Sequence, residues 1–110
     1  MSQGPDPVGH GLPARVIAIG ASAGGVDALQ RLVAVLPADF PAAVCIVLHI
    51  PATSKSLLAQ ILARAGPLPA EQAEHGTPLA AGHIYVAPAD HHLLVRGDRL
   101  ELDPGPKENG

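Results

Sequence analysis

Between Arg15 and Gly66 the apolar positions of the chain switch spacing three times. Arg15 to Ile19 is a short apolar run that reads as a strand, and Gly20 to Gly25 follows as a tight loop. From there the apolar residues Val26, Leu29, Leu32, Val33 and Leu36 fall at helical spacing. Asp27 suits the positive end of that helix, and Pro37 stops it. Ala43 to Leu48 is an unbroken apolar run, the signature of a strand covered on both faces. Thr53 or Ser54 can cap a second helix, whose buried stripe would be Leu57, Leu58, Ile61 and Leu62 and whose end is marked by Gly66-Pro67. Strand, helix, strand, helix predicts right-handed parallel crossovers and an α/β class.

The second half is less regular. Leu68 to Ala73 is a candidate short strand, and Ile84 to Ala87 a better one. His92 to Val95 and Arg99 to Leu102 flank Gly97-Asp98, with glycine at the first central position of a type II′ hairpin turn. Residues 1–14 hold Gly4, Gly9, Gly11, Pro5, Pro7 and Pro13 and are expected to be a disordered tail. That leaves 15–110 as the structured part. Asp103 to Gly110 reads as a loop cut in mid-course.

Composition narrows the function classes. At 110 residues the chain holds one domain at most. With 47% apolar and 15% charged residues it can bury a core. Phe40 and Tyr85 are its aromatics, so that core is built from Ala, Val, Leu and Ile. A formal charge of -3 gives no footprint for nucleic acid or anionic lipid, so neither is expected as a partner. No apolar run reaches membrane-spanning length and no signal peptide is visible. Cys45 is a lone thiol in an apolar run, which fits a buried residue in a reducing, cytoplasmic setting.

The chemistry is expected at the ends of the first two strands. Gly20-Ala21-Ser22-Ala23-Gly24 matches G-x-S-x-G between a strand and a helix, the context of a nucleophile elbow. Ser22 is the candidate nucleophile, and the backbone N–H of Ala23 is a candidate oxyanion donor at the helix start. Other readings compete for the loop. As a dinucleotide fingerprint it lacks the middle glycine, and the second strand ends in Leu48-His49-Ile50 rather than an acid. As a P-loop it lacks Gly-Lys-Ser/Thr. As plain structure, its small residues simply make a tight turn.

His49 tips the balance. Adjacent parallel strands end on the same edge, so His49 at the end of the second strand becomes a neighbour of Ser22 at the end of the first. A serine hydroxyl needs a base near neutral pH, and imidazole supplies one. His10, His75, His83, His91 and His92 show neither i, i+4 spacing nor a cysteine companion, so no metal and no cofactor are expected.

Val16-Ile17-Ala18-Ile19-Gly20-Ala21-Ser22-Ala23-Gly24-Gly25 resembles the opening of the catalytic domain of the CheB-type protein-glutamate methylesterases. Leu36-Pro37-Ala38-Asp39-Phe40-Pro41, Val47-Leu48-His49-Ile50-Pro51, Ala73-Glu74-His75-Gly76 and Gly82-His83-Ile84-Tyr85-Val86-Ala87-Pro88 resemble later segments of that domain, in its order. The resemblance implies a Rossmann-like three-layer α/β fold with a mostly parallel sheet and a C-terminal β-hairpin, truncated here before its last strands and helices. It implies hydrolysis of glutamate methyl esters on chemotaxis receptors, or on another methyl-esterified signalling protein, and deamidation of receptor glutamines. It gives Ser22 the role of nucleophile and His49 that of base.

Two departures from the family pattern stand out. The family's third catalytic residue is an aspartate in a Gly-rich segment further downstream, and Asp90, Asp98 and Asp103 do not match it. Ala23 stands where threonine is common. Fourteen residues ahead of the first strand are too few for a receiver domain, so a stand-alone form is expected. The alternative is a non-catalytic fragment or interaction module that keeps half of the fold.

Overall fold

The computed structural model of the chain describes residues 15–49, 57–88 and 91–103. β1 (Arg15–Ser22) leads through a 3-10 turn (Ala23–Gly25) into α1 (Val26–Val35), followed by β2 (Ala42–His49) and α2 (Leu58–Ala65). The rest is strand: β3 (Ala70–Gln72), β4 (Ile84–Val86), β5 (His92–Arg96) and β6 (Arg99–Asp103). The first four strands form one sheet in the order β1-β2-β4-β3, parallel throughout, while β5 and β6 pair as an antiparallel hairpin.

The two faces of the sheet are covered by different layers. Val44, Ile46 and Leu48 of β2, with Ile84 and Val86 of β4, pack against Leu29 and Val33 of α1, Leu58 and Leu62 of α2, and Leu68. The alternate residues Ala43, Cys45 and Tyr85 meet Ala73, Leu79 and Leu100, with Leu93 and Leu102 alongside. The hairpin therefore takes the place a helix would occupy on the second face. It is tied down by residues 76–79. Gly76 donates its N–H to the Leu100 carbonyl (2.8 Å), Leu100 to Thr77 (2.9 Å) and Leu79 to Asp98 (2.8 Å). The Arg99 guanidinium donates to the Gly76 carbonyl at 3.0 Å, and His75 Nδ1 accepts the Leu102 N–H at 3.1 Å.

Several sequence expectations shift by a few residues. β1 runs on through Gly20, Ala21 and Ser22, which had read as loop, because each pairs with β2: Gly20 with Val47, Ala21 with Leu48, Ser22 with His49. α1 stops before Pro37, with Leu36 extended as a pre-proline residue prefers. Thr53 and Ser54, the expected caps of the second helix, lie outside the described residues. Leu57 is a correction: it is 59% exposed rather than buried, because it precedes α2 in a non-helical conformation. The hairpin turn is as expected in its essential feature, since Gly97 has φ +64°, which a side chain would resist. Among the described residues no helix is long and apolar enough to cross a membrane.

Candidate functional site

Ser22 and His49 are register partners at the carboxyl ends of β1 and β2. The pairing is in step over all eight residues of both strands, from Arg15 opposite Ala42 to Ser22 opposite His49. Partnered positions on adjacent strands lie about 4.8 Å apart. The two candidates, 27 residues apart in sequence, thus end on one sheet edge with no residue between them.

The strand-to-helix turn differs from a strained elbow. Ser22 has φ -88° and ψ 173°, ordinary extended backbone, and its side chain makes no capping bond to the 3-10 turn that follows. Gly25 likewise sits at negative φ (-89°). The glycines serve by lacking a side chain, not by adopting a left-handed conformation. A Cβ at Gly25 would stand 3.1 Å from the Ala21 Cβ, so the turn can close tightly only without one. A Cβ at Gly24 would stand 3.9 Å from Ser22 Oγ, so glycine there leaves the approach to the hydroxyl open. Gly25 is the residue whose importance the sequence pattern understated, since it falls one position beyond G-x-S-x-G.

Ala23 opens the 3-10 turn, which runs directly into α1. The first amides of a helical segment have no partner within it and carry the positive end of the dipole. They gather just past Ser22. Asp27, in the first turn of α1, is engaged by Arg31 at 2.9 Å on the exposed face. The other candidate groups are placed elsewhere. His75 holds the β6 backbone, and His83 stacks on Tyr85 with ring centroids 6.1 Å apart. Asp98 lies in the hairpin turn and Asp103 at the end of β6. Asp90 lies outside the described residues, as does the whole 50–56 stretch after His49. Cys45, on the hairpin face of β2, is buried, and desolvation pushes its thiol up to about 11. It is thus a packing residue rather than a nucleophile.

The model of the CheB methylesterase family matches residues 17–110. The "Protein-glutamate methylesterase/protein-glutamine glutaminase 4" of Myxococcus xanthus (strain DK1622) is 49% identical over 96 residues, covering 86% of this chain and 27% of that protein. The "Protein-glutamate methylesterase/protein-glutamine glutaminase" of Symbiobacterium thermophilum is 41% identical over 103 residues, covering 93% of this chain and 28% of that protein. The chain thus spans little more than a quarter of the length of these relatives. The crystal structure of the Thermotoga maritima CheB methylesterase catalytic domain superposes with a TM-score of 0.73 at 31% identity, covering 94% of this chain and 54% of that one. An α/β sheet with matching topology, a family model spanning nearly the whole described region, and relatives of this identity agree: the chain belongs to the CheB methylesterase family.

Proposed function

We propose that the chain carries the nucleophile and base of a protein-glutamate methylesterase, with Ser22 attacking and His49 accepting its proton. The observation that carries this reading is the register pairing of the two residues at one sheet edge. Ser22 Oγ adds to the carbonyl carbon of a glutamate methyl ester as its proton passes to the His49 imidazole. The carbonyl oxygen becomes an oxyanion, held by the Ala23 N–H and its neighbours at the helix start. The ester C–O bond then breaks, and the methoxy group takes the proton from His49 and leaves as methanol. Water clears the acyl-enzyme by the reverse proton path, leaving a carboxylate. A glutamine amide follows the same course with ammonia as leaving group. The names of the relatives favour glutamate methyl esters and glutamine amides on a protein as substrates, the family resemblance points to methylated chemotaxis receptors as that protein, and the cytoplasm is the compartment that a buried free thiol fits.

The test uses a methylesterase domain completed around these residues. A fluorophosphonate should label Ser22, and Ser22→Ala or His49→Gln should each lower methanol release from a methylated receptor by at least about 10⁴-fold. Labelling that ignores Ser22 overturns the reading. The 110-residue chain alone is expected to have negligible activity, because none of Asp90, Asp98 and Asp103 matches the family's downstream aspartate that would orient the imidazole. The exposure of β1 supports a second reading, a non-catalytic interaction module, in which Ser22→Ala would change nothing measurable.

A further inference from the structure

The outer edge of β6 is held by a ladder in which one rung is a side chain. Leu100 turns both of its backbone groups away from β5: its carbonyl accepts the Gly76 N–H at 2.8 Å, and its N–H reaches the Thr77 carbonyl at 2.9 Å. Two residues along the strand, the Leu102 N–H faces outward in the same way. Its acceptor is not a carbonyl but the His75 ring, through Nδ1 at 3.1 Å. An imidazole nitrogen accepts a hydrogen bond only while it carries no proton. The bond therefore sets the neutral tautomer with its proton on Nε2. Protonation of Nδ1 breaks it and leaves two N–H groups facing each other. A carbonyl in this place would hold its bond at any pH, whereas a histidine makes one rung respond near neutrality.

The position of that rung gives it leverage. Gln72 of β3 pairs with Val86, and the Ala73 N–H donates to the Val86 carbonyl at 2.7 Å, so residues 73–75 leave the sheet at its carboxyl edge. β5 sets out from the same edge, because it follows β4. The His75 rung thus fastens the open end of the hairpin, where His92 is opposite Asp103, on the sheet edge at which Ser22 and His49 end. The bond from the Leu79 N–H to the Asp98 carbonyl fastens the turn at the other end.

The charged and titratable groups around the rung come from four elements. Glu74 adjoins His75 on its own segment, and Glu71 and Tyr85 are register partners in the sheet beneath. Arg99, Glu101 and Asp103 alternate with the two leucines along β6, and His91 and His92 stand where β5 begins. Arg99 is committed to the Gly76 carbonyl and Glu101 to Arg96. Of these groups, His75 alone is seen to accept a strand N–H in its ring.

We propose that His75 is a pH-sensitive latch on the β5–β6 hairpin. With Nδ1 unprotonated it fastens the open end of β6 to the segment after β3. Its protonation releases that end, while the rungs at Leu100 and Leu79 keep the rest of the hairpin in place. The latch goes beyond the proposed ester chemistry and does not depend on it.

The test follows amide hydrogen exchange by NMR in the full 110-residue chain, from about pH 8 to about pH 5, a span that brackets imidazole titration. Rates are expressed as protection relative to the unfolded chain, which removes the pH dependence of exchange itself. Protection at Leu102 should fall by about two- to tenfold as the pH falls, the worth of one hydrogen bond, while Leu100 and Leu79 hold theirs. His75→Asn sets an amide oxygen near the place of Nδ1 and does not titrate, so Leu102 should stay protected throughout. His75→Ala should leave Leu102 poorly protected at every pH. Ring nitrogen shifts should show Nδ1 as the bare nitrogen at about pH 8. Activity is not the readout, because His49 titrates as well. Leu102 protection that ignores pH, or a fall that persists in His75→Asn, overturns the proposal. So does a neutral ring with its proton on Nδ1, or a fall shared equally by Leu100 and Leu79. None of these outcomes bears on Ser22, whose fluorophosphonate labelling tests the esterase reading separately.

Discussion

Gly66→Ala is the substitution that most sharply probes how α1 and α2 are held on the sheet. Gly66 ends α2 with φ -153° and ψ -174°, a backbone any residue adopts, so the cost is wholly one of space. A Cβ there would stand 2.3 Å from the Val33 carbonyl oxygen, 2.9 Å from its carbonyl carbon and 3.0 Å from Cγ1. The tightest contact is with backbone, which no rotamer change relieves. The last turn of α1 must move away by about 0.7 Å or more to reach even 3.0 Å. A gap of that size forfeits about a quarter to a half of the dispersion attraction of the groups it separates. Val33 is fully buried, and its burial is worth about 1.5–3 kcal/mol, so about 0.4–1.5 kcal/mol is lost there. The same carbonyl accepts the Leu36 N–H at 3.2 Å, and disturbing that bond costs up to about 1 kcal/mol. Alanine restricts the unfolded chain and returns about 0.4–1 kcal/mol. The net loss is about 1 kcal/mol, which lowers Tm by about 4–8 °C for a domain of this size.

Thermal and urea melts followed by circular dichroism check the figure. Gly76→Ala, at φ +87° with open space around its Cβ, separates backbone strain from crowding. Val33→Ala should not rescue Gly66→Ala, because the 2.3 Å contact is to the carbonyl oxygen and survives truncation. A Gly66→Ala protein that melts within about 1 °C of wild type would refute the reasoning.

Three further outcomes are expected. Tyr85→Phe should cost about 1–2 kcal/mol in the same melts, because the Ala80 N–H that now donates to the phenol oxygen at 2.9 Å loses its acceptor; an unchanged Tm counts against it. Gly24→Ala should leave stability unchanged or raise it by up to about 1 kcal/mol, yet slow Ser22 acylation in a completed domain about tenfold or more; unchanged labelling means the open space beside Ser22 Oγ is not the substrate's approach. Burial raises the Cys45 thiol from 9.0 to about 11, so the unfolded chain gives up this proton before the folded one does. That stability is fully present below pH 9 and lost as pH rises toward 11, at up to about 1.4 kcal/mol per pH unit. Wild type should therefore lose stability faster than Cys45→Ala across this window; Tyr85, raised chiefly by burial, is raised in smaller part by the Cys45 charge, and that part leaves with the thiol and acts in the same direction; parallel pH profiles refute it.

The parallel α/β frame was legible because long-range pairing here follows local pattern. β2 reads as a doubly buried strand and is one, and the helical spacing from Val26 delivers Leu29 and Val33 to the core. The approach of Ser22 and His49 was legible for the same reason, since two parallel strands must end on one edge. Gly20 misled because glycine marks breaks in sequence, whereas here it is held in the ladder opposite Val47. Leu57 misled because periodicity fixes a stripe but not the residue where the helix begins. The pairing of residues 76–79 with β6 had no sequence signal, for Gly76, Thr77 and Pro78 read as loop and gain their bonds only from the hairpin. The covering of the second sheet face by a hairpin also lay beyond reading, because local alternation does not say which layer an element joins.

The site straddles the boundary between the settled and the unsettled half of this sheet. His49 ends a strand whose residues from Ala42 to Ile46 are buried between two layers, and Ser22 ends one that is exposed along most of its length. A nucleophile and base must be held within about 0.5 Å of their working geometry, by neighbours that lock both. Here the β2 side has its neighbours, while β1 relies on its ladder to β2 and on the turn into α1. Strands with outward backbone groups and few buried contacts open at low free-energy cost. Whatever covers Val16, Ala18 and the outer edge of β1 therefore acts on Ser22 as well, by fixing the strand that presents it. In a completed domain, protection of the β1 amides from exchange and fluorophosphonate labelling of Ser22 should therefore rise together, and a substitution that loosens β1 while leaving Ser22 labelling unchanged would break that link.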